Sequence, residues 1–131
     1  MPYIHIQISG APDDALAGKV ASQAAELTAR ILGKDPRLTA VVIDFIEPSR
    51  WYVAGRPLER GGERSYHWMV SITDETNTKA EKSKYLAAVH AAMQQQLGKV
   101  AEHSYVHIAD LRASAYGFGG LTQEHRYQHP G

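Results

Sequence analysis

The chain reads as the same unit written twice. Tyr3-Ile-His-Ile-Gln-Ile-Ser9 alternates apolar and polar residues, the period-two pattern of a half-buried strand, and Ser65-Tyr-His-Trp-Met-Val-Ser-Ile72 repeats it. After the first strand, Leu16, Val20, Leu27 and Ile31 recur at helical spacing, and Gly33 supplies a helix stop. After the second, Leu86, Val89, Met93, Leu97 and Val100 mark a helix near Gly98, and Thr78-x-x-Glu81 fits a capping box at its start. Each helix is followed by another strand, residues 39–46 and 104–109. Each of these is followed in turn by an aromatic–glycine segment, Trp51-Tyr-Val-Ala-Gly55 or Tyr116-Gly-Phe-Gly-Gly120. One domain, residues 1–131, is expected, with repeat one at 2–55, a polar linker at 56–64, repeat two at 65–120 and a tail at 121–131.

A strand–helix–strand connection of this length makes a parallel strand pair with a right-handed crossover. Two such β-α-β repeats predict an α/β (α+β) fold, a four-stranded mixed sheet with two helices on one face. No helix remains for the other face, where Val42, Ile46, Met69 and Tyr105 are expected to point, and oligomerisation is the natural way to cover them.

Composition removes several classes of function. Fourteen Lys+Arg balance fourteen Asp+Glu, so the basic surplus that a nucleic-acid partner requires is missing. No apolar run is long enough for a membrane span, and the N-terminus lacks a secretory n-region, so a cytoplasmic location is expected. With no cysteine, disulfides, thiolate nucleophiles and iron–sulfur clusters are ruled out. His125 and His129 are four apart in the tail, but Pro130 and the chain end argue against a stable helix there. Neither a metal nor a cofactor is expected.

Together with Pro2, the repeats resemble the tautomerase superfamily, in its fused, two-repeat, trimeric form. That group includes 4-oxalocrotonate tautomerase, macrophage migration inhibitory factor and malonate semialdehyde decarboxylase. The resemblance also rests on Leu38-Thr-Ala-Val41 running into Trp51-Tyr-Val-Ala-Gly55, and it covers the chain to Gly120. It implies a homotrimeric barrel and a tautomerase or isomerase in which Pro2, freed by loss of Met1, is general acid and base. The substrate implied is a small carbonyl or enol acid, such as a 2-oxo acid. A free N-terminal proline is a secondary amine, and burial disfavours its ammonium form, bringing its pKa toward the working pH. With Met1 retained the same nitrogen is an amide and no base.

The family's arginine clamp is absent. The positions that carry it elsewhere correspond to Pro12 and Val42, and Thr73-Asp-Glu-Thr-Asn77 has no arginine either. The candidate substitutes are Tyr105 and His107, which share one strand face, and Arg112 beyond them. His107 would polarise a carbonyl or enol oxygen and Arg112 would pair with a carboxylate. Trp51 and Tyr116 stand where the resemblance places a pocket aromatic. Near Ala115 the hydratase-type glutamate is missing, and the residue aligned with Pro2 in the second repeat is about Tyr66, so one working site per chain is expected. The alternatives are a ferredoxin-like small-molecule-binding module, which shares the connectivity, and a decarboxylase, hydratase or non-catalytic relative of the same fold.

Overall fold

A computed structural model describes residues 2–130; Met1, whose removal the proline chemistry requires, lies outside them. Strand β1 (Tyr3–Ser9) leads to helix α1 (Asp14–Leu32) and strand β2 (Ala40–Ile46). The second repeat runs β5 (Tyr66–Thr73), α2 (Lys79–Leu97) and β6 (Tyr105–Leu111). Between and after them lie two small hairpins, β3 (Tyr52–Val53) with β4 (Arg56–Pro57), and β7 (Gly117–Phe118) with β8 (Leu121–Thr122). A short helix α3 (Gln123–Gln128) ends the chain.

The four long strands form one sheet in the order β2-β1-β5-β6. β1 and β2 are parallel, β5 and β6 are parallel, and the two repeats meet antiparallel at β1 and β5. Each parallel pair is adjacent. A ferredoxin-like split β-α-β unit would place another strand between its parallel strands, so this topology excludes that alternative.

Period-two alternation decides which face is buried. Ile4, Ile6 and Ile8 of β1 and Tyr66, Trp68, Val70 and Ile72 of β5 all face the helices and are almost fully buried. Each large apolar side chain so buried contributes about 1.5–3 kcal/mol. Leu16, Val20, Leu27 and Ile31 of α1 cover them. On α2 the covering stripe is Tyr85, Val89, Met93 and Leu97; Leu86, expected on it, is 39% exposed because Tyr85 takes the core-facing position. Tyr85 is also the polar centre of the core. Its hydroxyl accepts from Trp68 Nε1 at 3.0 Å and is 2.8 Å from Thr28 Oγ1, which ties both helices to β5.

Helix ends follow the sequence signals. The Asp13 carboxylate accepts from the Leu16 N–H at 3.0 Å, and Gly33 closes α1 in the left-handed region. The capping box is complete: Glu81 N–H donates to Thr78 Oγ1 at 3.1 Å, and Thr78 N–H to Glu81 Oε1 at 2.7 Å.

The aromatic–glycine segments are the hairpins. Ala54 and Gly55 turn the first with φ of 54° and 75°, and Gly119 and Gly120 turn the second with φ of 62° and 82°. Paired positive φ at the two turn residues is the conformation a two-residue hairpin favours. The tail does form a helix, contrary to expectation. Thr122 caps α3 through the His125 N–H, while Arg126 donates to Phe118 O and lies 3.7 Å from that ring's centroid. Anchorage on the hairpin supplies what six residues of helix lack alone.

Candidate active site

Pro2 is buried at the entry to β1, one of the two central strands. Ala40 N–H donates to its carbonyl at 3.3 Å, which places the start of β2 beside it. β1 pairs Tyr3 with Ser71, so the register carried one residue further puts Pro2 beside Ile72, whose partner on β6 is Asp110. The end of the sheet that holds Pro2 therefore also holds the ends of β5 and β6. Arg112 follows β6 directly, and Tyr116 donates to or accepts from Thr73 Oγ1 at 2.6 Å. Pro2, Arg112 and Tyr116 are thus brought to one end of the sheet.

Lys34 joins that end, a residue the sequence reading passed over. Gly33 stops α1 there, and from the residue after it the Lys34 Nζ reaches the link between β5 and α2, donating to Thr76 Oγ1 at 2.9 Å. Burial lowers the Lys34 pKa, opposed by the charges of Glu81 and Asp110. Asp110 is held by Lys82 Nζ at 2.6 Å. Burial also raises the Tyr116 pKa, so its phenol stays protonated and available as a donor.

Trp51, Tyr105 and His107 belong to a different place. The β5–β6 register pairs Tyr105 with His67, which in turn pairs with Gln7 near the far end of β1. A cavity of about 640 Å³ opens there, lined among others by Trp51, Tyr52, Tyr66, His67, Tyr105 and His107. Burial pushes the Tyr66 phenol up to about 12, so it is neutral in this wall. Within one chain the six sequence candidates therefore divide into two groups at opposite ends of the sheet.

The face without helices differs from the apolar surface expected. Val42 and Tyr105 are exposed on it, but the centre carries hydrogen-bonded polar side chains. His5 Nε2 is 2.7 Å from Asp44 Oδ2, which pairs a carboxylate otherwise flanked by apolar residues along β2. Gln7 Oε1 is 3.3 Å from His67 Nδ1, and His67 Nε2 is 2.8 Å from His107 Nδ1. The alternation that buries Ile4, Ile6 and Ile8 puts His5 and Gln7 on the other side, so the signal was in the sequence. Desolvation lowers the His67 pKa, with His107 and His5 adding smaller effects in the same direction.

No protein-family model matches the chain, and comparison with curated proteins gives no match. Solved structures do match in three dimensions. A native fused 4-OT superposes with a TM-score of 0.82 at 18% identity, over 94% of this chain and 97% of that one. The protein Pt0534, solved after inactivation by 2-oxo-3-pentynoate, gives 0.81 at 12% identity over 94% and 97%. A macrophage migration inhibitory factor-like protein from Entamoeba histolytica gives 0.76 at 12% over 92% and 97%. Wild-type fused 4-OT structures similar to this chain are symmetric and asymmetric trimers. The chain has the two-repeat fold of these solved structures over nearly its whole length.

Proposed function

We propose that this chain is a proline-dependent tautomerase that moves a proton between carbon and oxygen of a small 2-oxo acid or its enol. The observation that carries the reading is Pro2 itself, buried immediately before a central strand in this fold. Once Met1 is removed, its nitrogen is a secondary amine in a site where burial favours the neutral form. A base in that condition takes a proton from carbon and returns it to the neighbouring position. Lys34 and Arg112, both at this end, suit a substrate carboxylate and replace the absent clamp.

The wall at the opposite end fits the same reading in a homotrimer. When copies assemble around a threefold axis, the Trp51, Tyr105 and His107 group of one protomer lies against the Pro2 end of the next. That fused 4-OT structures similar to this chain are trimers supports the threefold assembly.

Ultraviolet absorbance follows the ketonisation of enol-phenylpyruvate directly. Untagged protein, shown by intact mass to lack Met1, should accelerate it, and Pro2→Ala should lose at least a hundredfold in rate. Equal rates in the two proteins, or none in either, would remove Pro2 as the base.

A further inference from the structure

The hydrogen bonds on the helix-free face fix a protonation pattern. The orientation of the Gln7 amide selects the pattern: with Oε1, an acceptor, turned to His67 Nδ1 at 3.3 Å, Nδ1 carries the proton. Neutral His67 then has a bare Nε2, and His107 Nδ1, 2.8 Å away, must donate to it. That leaves His107 Nε2 without a proton, and among the described residues nothing hydrogen-bonds to it. We propose that Gln7 and His67 are positioning residues that lock His107 in its Nδ1–H tautomer, so that Nε2 meets a ligand as an acceptor and takes the proton of an enol hydroxyl.

The ring geometry suits this chain of bonds. His67 and His107 meet edge to face, with centroids 4.9 Å apart at 83°, and Tyr105 stacks on His107 at 6.0 Å and 16°. The groups facing His67 keep it uncharged. His107 comes from β6, His5 from β1 is paired with Asp44 of β2, and His103 and the neutral Tyr66 share the cavity wall. Desolvation of His67 and its two imidazole neighbours act against its cation.

The catalytic consequence rests on the Pro2 reading. As the enol collapses, its O–H bond breaks, the electron pair becomes the C=O bond, and the proton passes to His107 Nε2. The C=C pair takes a proton from the protonated Pro2 nitrogen of the adjoining protomer. Water then carries a proton from His107 back to Pro2, and the balance closes. The opposite tautomer would present Nε2–H and donate to a carbonyl instead.

Long-range proton–nitrogen correlation spectra of the uniformly ¹⁵N-labelled protein at pH 8.5 read the tautomer directly, with His67→Gln and His107→Gln assigning the rings. The expected spectrum shows His107 protonated at Nδ1 and bare at Nε2. Gln7→Leu should turn this into a mixture of tautomers, and Gln7→Glu, which keeps the acceptor, should restore it. In kinetics, Gln7→Leu should lower kcat for ketonisation on the order of tenfold, while Gln7→Glu retains most of it. His107 carrying its proton on Nε2 in the unaltered protein, or a spectrum indifferent to Gln7→Leu, overturns the proposal. The expected tautomer in a protein without ketonisation activity would uphold the relay and fail the Pro2 reading alone.

Discussion

Replacing Tyr85 by Phe removes one oxygen from the centre of the core. Tyr85, Trp68 and Thr28 are each 0% exposed, so no water can substitute for the lost hydroxyl. Trp68 Nε1 is a donor with no other role, and losing its 3.0 Å acceptor leaves a buried N–H unpaired, at a cost of about 1–3 kcal/mol. Thr28 loses a 2.8 Å partner but sits inside α1, where its hydroxyl can turn to the carbonyl one turn back. Its share is therefore small, and the total is about 2 kcal/mol, worth on the order of 6–10 °C in Tm for a chain of this size. Urea unfolding followed by tryptophan fluorescence measures it, at a fixed protein concentration that holds any contribution of the proposed assembly constant. Thr28→Val alone should cost less than Tyr85→Phe, since it leaves the Trp68 bond in place. A Tyr85→Phe loss under about 0.5 kcal/mol would show that the bond is not what holds α1, α2 and β5 together.

Two further outcomes can be checked with the same preparations. Arg112→Ala should raise KM for a 2-oxo acid about 10- to 100-fold, the value of a charge-assisted contact, and leave kcat little changed; an unchanged KM takes Arg112 out of the site. The lowered His67 pKa makes stability depend on pH. The unfolded ring titrates near 6.5 and the folded one lower, so between those values the unfolded state binds more protons. Its contribution is complete above pH 6.5 and is lost as pH falls from there through the folded value. Urea midpoints measured from pH 7.5 to 5 should fall in the unaltered protein and fall less in His67→Gln.

Most of the sheet and both long helices were legible because their signals are local. Alternation named β1 and β5, and Gly33 and the Thr78–Glu81 box marked helix ends that the hydrogen bonds reproduce. Strand order was decided by which edges pair, which adjacency in sequence does not encode. Tyr85 was missed because an aromatic beside Leu86 reads equally well on either side of the helix stripe. The structure turns it inward for the Thr28 and Trp68 bonds. The tail helix depends on Arg126 finding Phe118, a tertiary contact invisible to any helix rule. The candidate residues were identified one by one, but their division between two ends of the sheet follows from register, which the sequence does not state.

That division explains why a symmetric repeat should carry one kind of site. The strand-to-helix link is residues 10–13 in the first repeat and 74–78 in the second, with the extra residue taken up near Glu75 at φ 61°. The strands themselves keep their faces, so Tyr66, the first residue of β5, takes the place in the second repeat that Pro2, just before β1, has in the first. Tyr66 follows Ser65, so its nitrogen is a peptide amide with no basic lone pair. Only a chain start supplies a free secondary amine, and the far end is released to carry aromatics and histidines. A reagent that alkylates the amine therefore counts the ends. An alkynyl 2-oxo acid such as 2-oxo-3-pentynoate adds an amine across its triple bond and loses nothing, so the adduct weighs the sum of the two. Intact mass should show one adduct per chain and none in Met1-retaining protein, with the label on the N-terminal peptide. Two adducts per chain, or a label in the second repeat, would mean that the ends are chemically equivalent and that the argument from the chain start is wrong.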